Sequence, residues 1–498
     1  MQRYDVIVIG TGAGGGTLLS RLAATGKRIL VLERGPFLPR ERENWDSGAI
    51  LAGRYRAPLT WYDADSGEAF RPFTHHFVGG NTKLYGAALL RLREHDFGEV
   101  HHHGGASPAW PLAYTDFEPY YAEAEWLYHV HGQRGDDPHE PQSSRPYAHA
   151  ALPHEPCIAQ LDQRLRAQGL RPFALPLGLR PQAQNPVNLS LFDGYPDPTE
   201  TKADAHVIAV TPALARSNVE LRTDCYVERL ITSASGREVT SVQTRTSEGE
   251  ETFAADVIVV ACGAIESAAL FLRSANDVHA HGLANSHDLV GRHYMCHHNG
   301  ALLAVDTKLN SSRFQKTLAL TDFYRSGPFS DLPLGTVQLM GRSTAADFVS
   351  LKDVDPSDAA ARSIDFWLTA EDLPDPANRV TLRADGAVTL RYRPNNLIAF
   401  EGLKRSFSEV LRRALGEQLQ FVSYRLDISG VSHQCGTLRF GADPRTSVLD
   451  LNCRAHGIDN LYAVDGSFFP ASGAVNPSLT IMANALRVGD HLIDRLAA

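Results

Sequence analysis

Residues 4–33 read YDVIVIGTGAGGGTLLSRLAATGKRILVLE. The apolar run at 4–9 predicts a parallel strand that is buried on both faces. A glycine-rich turn follows, and the leucines within 18–22 recur at helical spacing. Gly26 predicts the end of that helix, and residues 28–33 predict a second strand. This order of strand, turn, helix and strand predicts a βαβ unit at the start of a Rossmann-like domain.

The glycines of this turn fit the dinucleotide-binding pattern GxGxxG. Gly10 permits the tight turn, Gly12 lets the backbone approach a pyrophosphate, and Gly15 lets the helix pack closely against the strand. Glu33 ends the second strand, where its carboxylate can accept hydrogen bonds from the ribose hydroxyls of an adenosine. The pattern predicts a bound dinucleotide, but it does not by itself separate FAD from NAD.

Bulk properties indicate a two-domain globular enzyme. The chain has 498 residues, 43% hydrophobic and 21% charged, and its net charge of −9 argues against nucleic acid or an anionic membrane as the main partner. No apolar run approaches the roughly 20 residues that span a bilayer. The first residues enter the first strand without a signal-peptide pattern, so we expect a cytoplasmic location. The six scattered cysteines predict reduced thiols.

The remaining chain predicts an interrupted first domain. Residues 36–212 are irregular apart from a helix at 116–131, and order returns near 219. We expect a discontinuous dinucleotide-binding domain and a substrate domain with a mixed or antiparallel sheet. The predicted elements beyond 212 are strands at 219–222, 225–230, 239–244, 251–254, 256–261, 379–382, 388–392 and 461–464, and helices at 265–272, 397–419 and 476–496. We expect the first domain to comprise residues 1–100, 206–300 and 430–498. We expect the substrate domain with its lid loops to comprise residues 101–205 and 301–429.

Further segments resemble the signatures of one enzyme family. VGGNTKLYGA at 78–87, CGAIESAALFLRS at 262–274, HQCGT at 433–437, and the later LYAVDGS and NPSLT are similar to motifs of the glucose–methanol–choline oxidoreductases. Ala268 departs from the second signature, where proline is usual. The resemblance covers most of the chain, and it is weak at 138–205 and through the expected substrate domain.

This resemblance implies a two-domain α/β fold, FAD as the cofactor and a set of cofactor contacts. The glycine-rich turn of the first signature passes close to the flavin ring in the family, and Asp465 and Gly466 correspond to residues beside the phosphate and ribityl chain. The contacts implied, beyond the glycines and Glu33 above, are Gly80, Asn81, Thr82, Tyr85, Val227, Ala261, Gly263, Asp465, Gly466, Pro477 and Thr480.

Within the family, the chain most resembles the bacterial pyranose oxidase and C-glycoside 3-oxidase branch. Asn476 carries this resemblance. Some members carry a second histidine at this position, and the pyranose oxidases carry asparagine. Lys83 falls at about the position where fungal pyranose oxidases attach FAD through a histidine. Lysine cannot form that histidyl link, so we predict non-covalent FAD.

His433 and Asn476 are the predicted catalytic residues. Oxidation of an alcohol removes a proton from oxygen and a hydride from carbon, and flavin N5 can accept the hydride. The pKa of histidine, ordinarily about 6.5, suits His433 to take the proton. Asn476 would hydrogen-bond the substrate oxygen, and with Pro477 it predicts the N-cap and first position of a helix. That helix end would favour an anionic reduced flavin.

Three functions stay open from the sequence. The first is an oxidase that converts the C2 or C3 hydroxyl of a sugar or of a C- or O-glycoside to a ketone, with dioxygen reoxidising the flavin. The second is a dehydrogenase that performs the same oxidation and passes electrons to a quinone or another acceptor. The third is a non-redox lyase or flavin-binding protein. The sequence leaves the sugar and the oligomeric state undecided.

No metal site is predicted. The run His101–His103 has no partner ligands at zinc-like spacing. The group His293, Cys296, His297 and His298 belongs to a stretch, 290–297, that resembles a family segment leading back into the substrate domain. Three tryptophans (Trp61, Trp110 and Trp367) could stack on sugar faces, and Gln338 and Glu371 could contact sugar hydroxyls, but none of these is assigned to the site.

Overall fold

The computed structural model describes residues 2–181, 193–352, 354–430 and 432–497. Part of the predicted lid, 182–192, therefore lies outside the described residues. Nine α-helices occur in the described ranges. In chain order, α1 to α9 span Ala13–Leu22, Ser47–Leu51, Tyr114–Leu127, Pro156–Ala167, Thr211–Leu214, Ala264–Arg273, Pro356–Arg362, Leu397–Leu415 and Ser478–Ala497.

The first layer is a seven-stranded sheet built on the opening βαβ unit. Its central strand Gln2–Ile9 pairs in parallel with Ile29–Leu32 on one side and with Gly249–Val260 on the other. The apolar residues 6–9 are buried, as expected for a strand covered on both faces. The outer strands are Val219–Arg222, Val239–Thr246, Tyr226–Thr232 and Leu461–Ala463.

The second layer is a six-stranded sheet in which all the pairings are antiparallel. Its strands, in spatial order, are Gln420–Arg425, His298–Val305, Ser363–Ala370, Thr336–Leu339, Leu318–Leu320 and Phe173–Ala174. Helices α4 and α8 cover one face, where the apolar side of α8 buries Phe400, Leu403 and Phe407. The prediction of a Rossmann-like domain joined to a domain with an antiparallel sheet is therefore confirmed.

The remaining strands of the described residues form smaller sheets. A four-stranded sheet contains Arg379–Leu382, Val388–Arg391, Trp61–Asp63 and Ala69–Phe70, and a three-stranded sheet contains Leu177–Gly178, Val130–Gly132 and His149–Ala150. The remaining strands form two pairs, Met295–Cys296 with Gln434–Cys435 and Val100–His102 with Gly105–Ser107.

Helix α9 joins distant parts of the chain in the first core. It packs against α1 and α3, and the aromatic residues Phe117 and Tyr121 of α3 are buried in the same cluster as the first sheet. Helix α3 lies within 101–205, which the sequence analysis groups with the substrate domain. Its aromatic face nevertheless packs on the first layer, because α9 offers a long apolar surface there.

The predicted element boundaries differ from the structure at several points. The two strands expected at 251–254 and 256–261 are one strand, Gly249–Val260, because both halves pair in one constant register with the strand Gln2–Ile9, and the first half also pairs with Val239–Thr246. The helix expected to reach 419 ends at Leu415, where Gly416 adopts a positive φ of 124°. No helix in the described ranges is long and apolar enough to cross a membrane.

Candidate active site

A cavity of about 540 Å³ opens where the two layers meet. The first layer contributes the turn after its first strand, the end of its second strand and the segment after Leu461–Ala463. The antiparallel sheet contributes Gln338 and Trp367, which lie opposite each other on neighbouring strands. The cavity is therefore bounded by a dinucleotide-type turn on one side and by the second sheet on the other.

Among the glycines of this turn, Gly12 alone leaves open space where a Cβ would stand. A Cβ on Gly10 would lie 2.4 Å from the Ala261 carbonyl oxygen, and one on Gly14 would lie 2.1 Å from that of Val464. A Cβ on Gly12 would meet no atom within 4 Å, and Gly12 lines the cavity at the start of α1. The helix has no side-chain cap there, so its free N–H groups are available to an anion.

Glu33 is held rigidly at the edge of the cavity. Its Oε2 accepts hydrogen bonds from the Thr11 backbone N–H at 3.0 Å and from Thr11 Oγ1 at 2.6 Å, and its Oε1 accepts from the Gly35 N–H at 3.1 Å. Burial raises the pKa of Glu33, although these bonds oppose the rise. The carboxylate keeps acceptor capacity for a ribose hydroxyl, because each oxygen has two lone pairs.

Asp465 ties together two chain segments beside the cavity, 263–267 and its own at 465–467. Its Oδ2 accepts from the Gly263 N–H at 3.0 Å and from the hydroxyl of Ser267, and its Oδ1 accepts from the Ser467 N–H at 2.9 Å. Burial raises the pKa of this carboxyl. Its described bonds fix the backbone around Gly263 and Gly466 rather than reaching into the cavity.

Most of the residues predicted for the site line this one cavity, and two do not. Gly15 lies outside the lining because it packs helix on strand, where a Cβ would be 2.0 Å from the Gly10 carbonyl oxygen. Thr480 is buried on α9 and hydrogen-bonds Tyr121 of α3 at 2.8 Å. The residues that line the cavity are Gly10, Gly12, Glu33, Gly80, Asn81, Thr82, Tyr85, Val227, Ala261, Gly263, His433, Asp465, Gly466, Asn476 and Pro477.

His433 reaches the cavity with one ring nitrogen already engaged. Its Nδ1 lies 2.9 Å from His297 Nδ1 and 3.1 Å from Asn299 Nδ2. Nε2 makes no hydrogen bond with the described residues, so it is the nitrogen available to a ligand. Burial lowers the pKa of His433 well below its ordinary value, and the neighbouring His297 and Lys316 lower it further. The ring is therefore neutral at neutral pH and can accept a proton.

Asn476 is placed by Gln338 of the second sheet. Gln338 Nε2 donates to Asn476 Oδ1 at 3.2 Å, which leaves Asn476 Nδ2 as the donor available in the cavity. The predicted N-cap role of Asn476 is wrong, because the Pro477 carbonyl accepts the first helical bond, from Ile481, and α9 begins at Ser478. Asn476 thus lies before the cap, where its side chain is free to face the second sheet.

Sequence reasoning missed Asn299 and considered His297 only as a metal ligand. His297 is 3% exposed and Asn299 is 1% exposed, on a segment that returns from the first layer to the second sheet. No local pattern marks either residue as part of the site. The pairing of Met295–Cys296 with Gln434–Cys435 brings this segment beside His433.

Other residues singled out from the sequence have structural partners. Lys83 Nζ pairs with Asp204 at 2.7 Å and does not line the cavity. Among the tryptophans, Trp110 lies in an aromatic cluster, whereas Trp61 and Trp367 both line the cavity, and Trp61 donates to Glu266 at 3.2 Å. In the part of the chain that the structure describes, no group of three or more histidine, cysteine or acidic side chains is arranged to hold a metal ion.

The residues present fit a flavin dinucleotide. The open space beside Gly12, the uncapped start of α1 and the fixed carboxylate of Glu33 suit a pyrophosphate and a ribose. The same cavity continues to His433 and Asn476, so a long cofactor can extend from the turn to the two polar side chains. Its far wall, with Trp367 and Gln338, suits a small molecule that carries hydroxyl groups.

Comparisons with known proteins agree with this geometry. Two family profiles described as GMC oxidoreductase match residues 74–299 and 344–485. The chain is 33% identical to 6'''-hydroxyparomomycin C oxidase of Streptomyces lividus, over 99% of this chain and 92% of that protein. It is 31% identical to paromamine 6'-oxidase of Streptomyces fradiae, over 99% and 93%.

A solved structure supports the fold. The crystal structure of pyridoxine 4-oxidase from Mesorbium loti aligns with a TM-score of 0.67 and 20% identity, covering 98% of each chain.

The two relatives above act on aminoglycosides by their names, so the pyranose oxidase and C-glycoside 3-oxidase branch stays a prediction. The family generally binds FAD and acts on CH–OH groups, which favours the two redox alternatives over the non-redox one. The chain belongs to the GMC oxidoreductase family.

Proposed function

We propose that the protein binds FAD non-covalently and uses it to oxidise a hydroxyl group of a sugar or glycoside to a carbonyl. The observation that carries this proposal is the convergence of His433 and Asn476 in the cavity that contains the dinucleotide turn. Lys83 supports non-covalent binding, because its amine is paired with Asp204 away from the cavity. Acid precipitation of the purified protein should therefore release FAD into the supernatant.

His433 removes the proton from the substrate hydroxyl. Its Nε2 is free and its depressed pKa keeps it unprotonated at neutral pH. Asn476 Nδ2 donates to the substrate oxygen and steadies the negative charge that develops as the O–H bond breaks. When bound, FAD supplies the acceptor for the hydride that leaves the adjoining carbon. A general base of this kind contributes roughly 10²- to 10⁴-fold to the rate.

The sequence resemblance and the relatives favour oxidation at different positions of the sugar, and a panel of substrates separates the two. The sequence resemblance favours the ring hydroxyl at C2 or C3, because Asn476 stands where pyranose oxidases carry asparagine. The aminoglycoside relatives favour a hydroxyl at position 6 of an amino sugar, as the name paromamine 6'-oxidase states. Incubation with glucose, with aryl C- and O-glycosides and with paromamine, followed by identification of the carbonyl carbon by NMR, separates the two.

Dioxygen is the proposed acceptor for the second half of the reaction. Both relatives compared above are named oxidases, which supports this choice. Turnover should be faster with dioxygen than with benzoquinone and should release hydrogen peroxide. Turnover with benzoquinone and none with dioxygen would instead identify a dehydrogenase.

The first test is anaerobic mixing of the FAD-loaded protein with this substrate panel. We expect the flavin absorbance to bleach with at least one sugar-like alcohol. His433→Ala should retain FAD and lose most of the bleaching rate. A variant that bleaches at the wild-type rate would contradict the assignment of His433 as the base.

A further inference from the structure

His433 Nδ1 lies between two side chains of opposite hydrogen-bonding character. The distances are 2.9 Å to His297 Nδ1 and 3.1 Å to Asn299 Nδ2. A ring nitrogen that carries a proton can only donate, and one that lacks a proton can only accept. The two neighbours therefore cannot both be satisfied by the same form of His433.

Asn299 is fixed as a donor toward His433. Its Oδ1 accepts from Trp367 Nε1 at 3.1 Å and from Thr369 Oγ1 at 2.9 Å. These two donors determine which way the amide points, so that Nδ2 faces the ring. Asn299 therefore bonds well only to an unprotonated Nδ1, the form of neutral His433 in which Nε2 carries the proton.

His297 is fixed as an acceptor toward His433. Its Nε2 lies 3.1 Å from the Ser472 carbonyl oxygen, which can only accept, so Nε2 of His297 carries the proton. Burial lowers the pKa of His297, which keeps the ring neutral and leaves its Nδ1 with a lone pair. His297 therefore bonds well only to a protonated Nδ1, the form of His433 whose Nε2 is free to act as a base.

We propose that His297 is a positioning residue that selects the base form of His433, and that Asn299 opposes it by stabilising the other tautomer. This inference rests on the proposed function, because it takes His433 as the base. In the reaction the substrate O–H bond breaks, its electron pair stays on oxygen, and the proton joins His433 Nε2. As the C=O bond forms from the oxygen electron pair, the adjoining C–H bond would break with its electron pair as a hydride, for which bound FAD would supply the acceptor. The resulting imidazolium keeps its Nδ1–H bond to His297, and that bond is strengthened by the charge.

The charged groups already present near the two rings stay in place in the variants that test this idea, whereas Asn299→Asp adds a carboxylate beside His433. Lys316 lowers the pKa of His433, and Glu371 raises that of His297. Both groups stay in place when 297 or 299 is substituted. A difference in rate between His297→Leu and His297→Asn, which add no charge, therefore reports on the bond to Nδ1.

The experiment measures anaerobic flavin reduction of the FAD-loaded enzyme across pH, using a substrate that bleaches the wild type. His297→Leu removes the acceptor and should slow reduction about 10- to 100-fold. His297→Asn places an amide oxygen near the position of Nδ1 and should restore most of the rate. Asn299→Asp keeps acceptors for Trp367 and Thr369 but presents a carboxylate to Nδ1. This variant should shift the acidic limb of the pH–rate profile to higher pH by about one unit or more.

The decisive variant combines His297→Leu with Asn299→Asp, since the carboxylate then supplies from the other side the acceptor that His297 provided. We expect it to reduce flavin at least about tenfold faster than His297→Leu alone. His298→Asn is the matched control on the same segment, because His298 lies near Asp372 and does not line the cavity. Its rate and pH profile should match those of the wild type.

A folded, FAD-containing double variant that shows no recovery overturns the proposal, and so does an unchanged rate in His297→Leu. If His297→Leu fails to fold, the reduction rate of His297→Asn and the shifted pH–rate profile of Asn299→Asp test the proposal instead. Selective ¹⁵N labelling of histidine gives a readout without turnover. Nδ1 of His433 should be partly protonated in the wild type, which holds both tautomers, and fully protonated in Asn299→Asp. A wild-type enzyme that no sugar-like alcohol reduces is a failure of the proposed function instead.

Discussion

Gly12→Ala tests the dinucleotide site separately from folding. The backbone at Gly12 has φ −68° and ψ −162°, which alanine adopts without strain, and the new Cβ would meet no protein atom within 4 Å. The substitution should therefore leave the apoprotein as stable as the wild type, or stabilise it by up to about 1 kcal/mol through the unfolded chain. The methyl group would instead occupy the space where the motif brings a pyrophosphate against the backbone.

The loss in cofactor affinity follows from the hydrogen bonds at that point. A bond from a backbone N–H to a charged phosphate contributes about 1.5–3 kcal/mol, so losing one weakens FAD binding roughly 10- to 150-fold. The assay is fluorescence titration of apoprotein with FAD, together with thermal unfolding of the apoprotein. Gly327→Ala is the matched control, since its Cβ also meets nothing within 4 Å and Gly327 lies outside the cavity. Wild-type FAD affinity in Gly12→Ala would refute this reasoning.

Four further predictions concern the same cavity. His433→Ala should lower the rate of anaerobic flavin reduction about 10²- to 10⁴-fold while FAD stays bound, as absorbance spectra will show. Because burial lowers the pKa of His433 well below its ordinary value, the wild-type reduction rate should stay level through neutral pH and fall only at a pH well below 6.5. Asn476→Leu should slow reduction about 10- to 100-fold through loss of the Nδ2 donor, with FAD content unchanged. Gly14→Ala should not yield folded protein, since its Cβ would lie 2.1 Å from the Val464 carbonyl oxygen, and circular dichroism or solubility tests this.

The parts of the site that the sequence predicted are those carried by local patterns. The turn at 10–15 and Glu33 follow from a strand, a helix and a second strand that are contiguous in the chain. The His433 and Asn476 segments were found by family resemblance, and the cavity brings them together. Gly15 has the packing role that the motif gives it, so its absence from the cavity wall is consistent with the reason for predicting it.

The residues that sequence reasoning missed or left unassigned depend on contacts between distant segments. Asn299 reaches His433 across 134 positions, and Gln338 reaches Asn476 across 138. Such contacts follow from how the second sheet meets the first layer, which no local periodicity specifies. The same limit explains Thr480, whose hydroxyl faces Tyr121 on α3, because the rotation of α9 is set by its packing against two other helices.

The central claim is that His433 and Asn476 act together on the hydroxyl of a sugar-like molecule beside a bound FAD. The most direct measurement is stopped-flow flavin reduction without oxygen, comparing a sugar or aminoglycoside with the same molecule carrying deuterium on the reacting carbon. We predict that the flavin bleaches in a single turnover and that deuterium slows it, since the carbon–hydrogen bond breaks in that step. An enzyme that contains FAD and is bleached by none of the sugars, glycosides or aminoglycosides tested would contradict the claim.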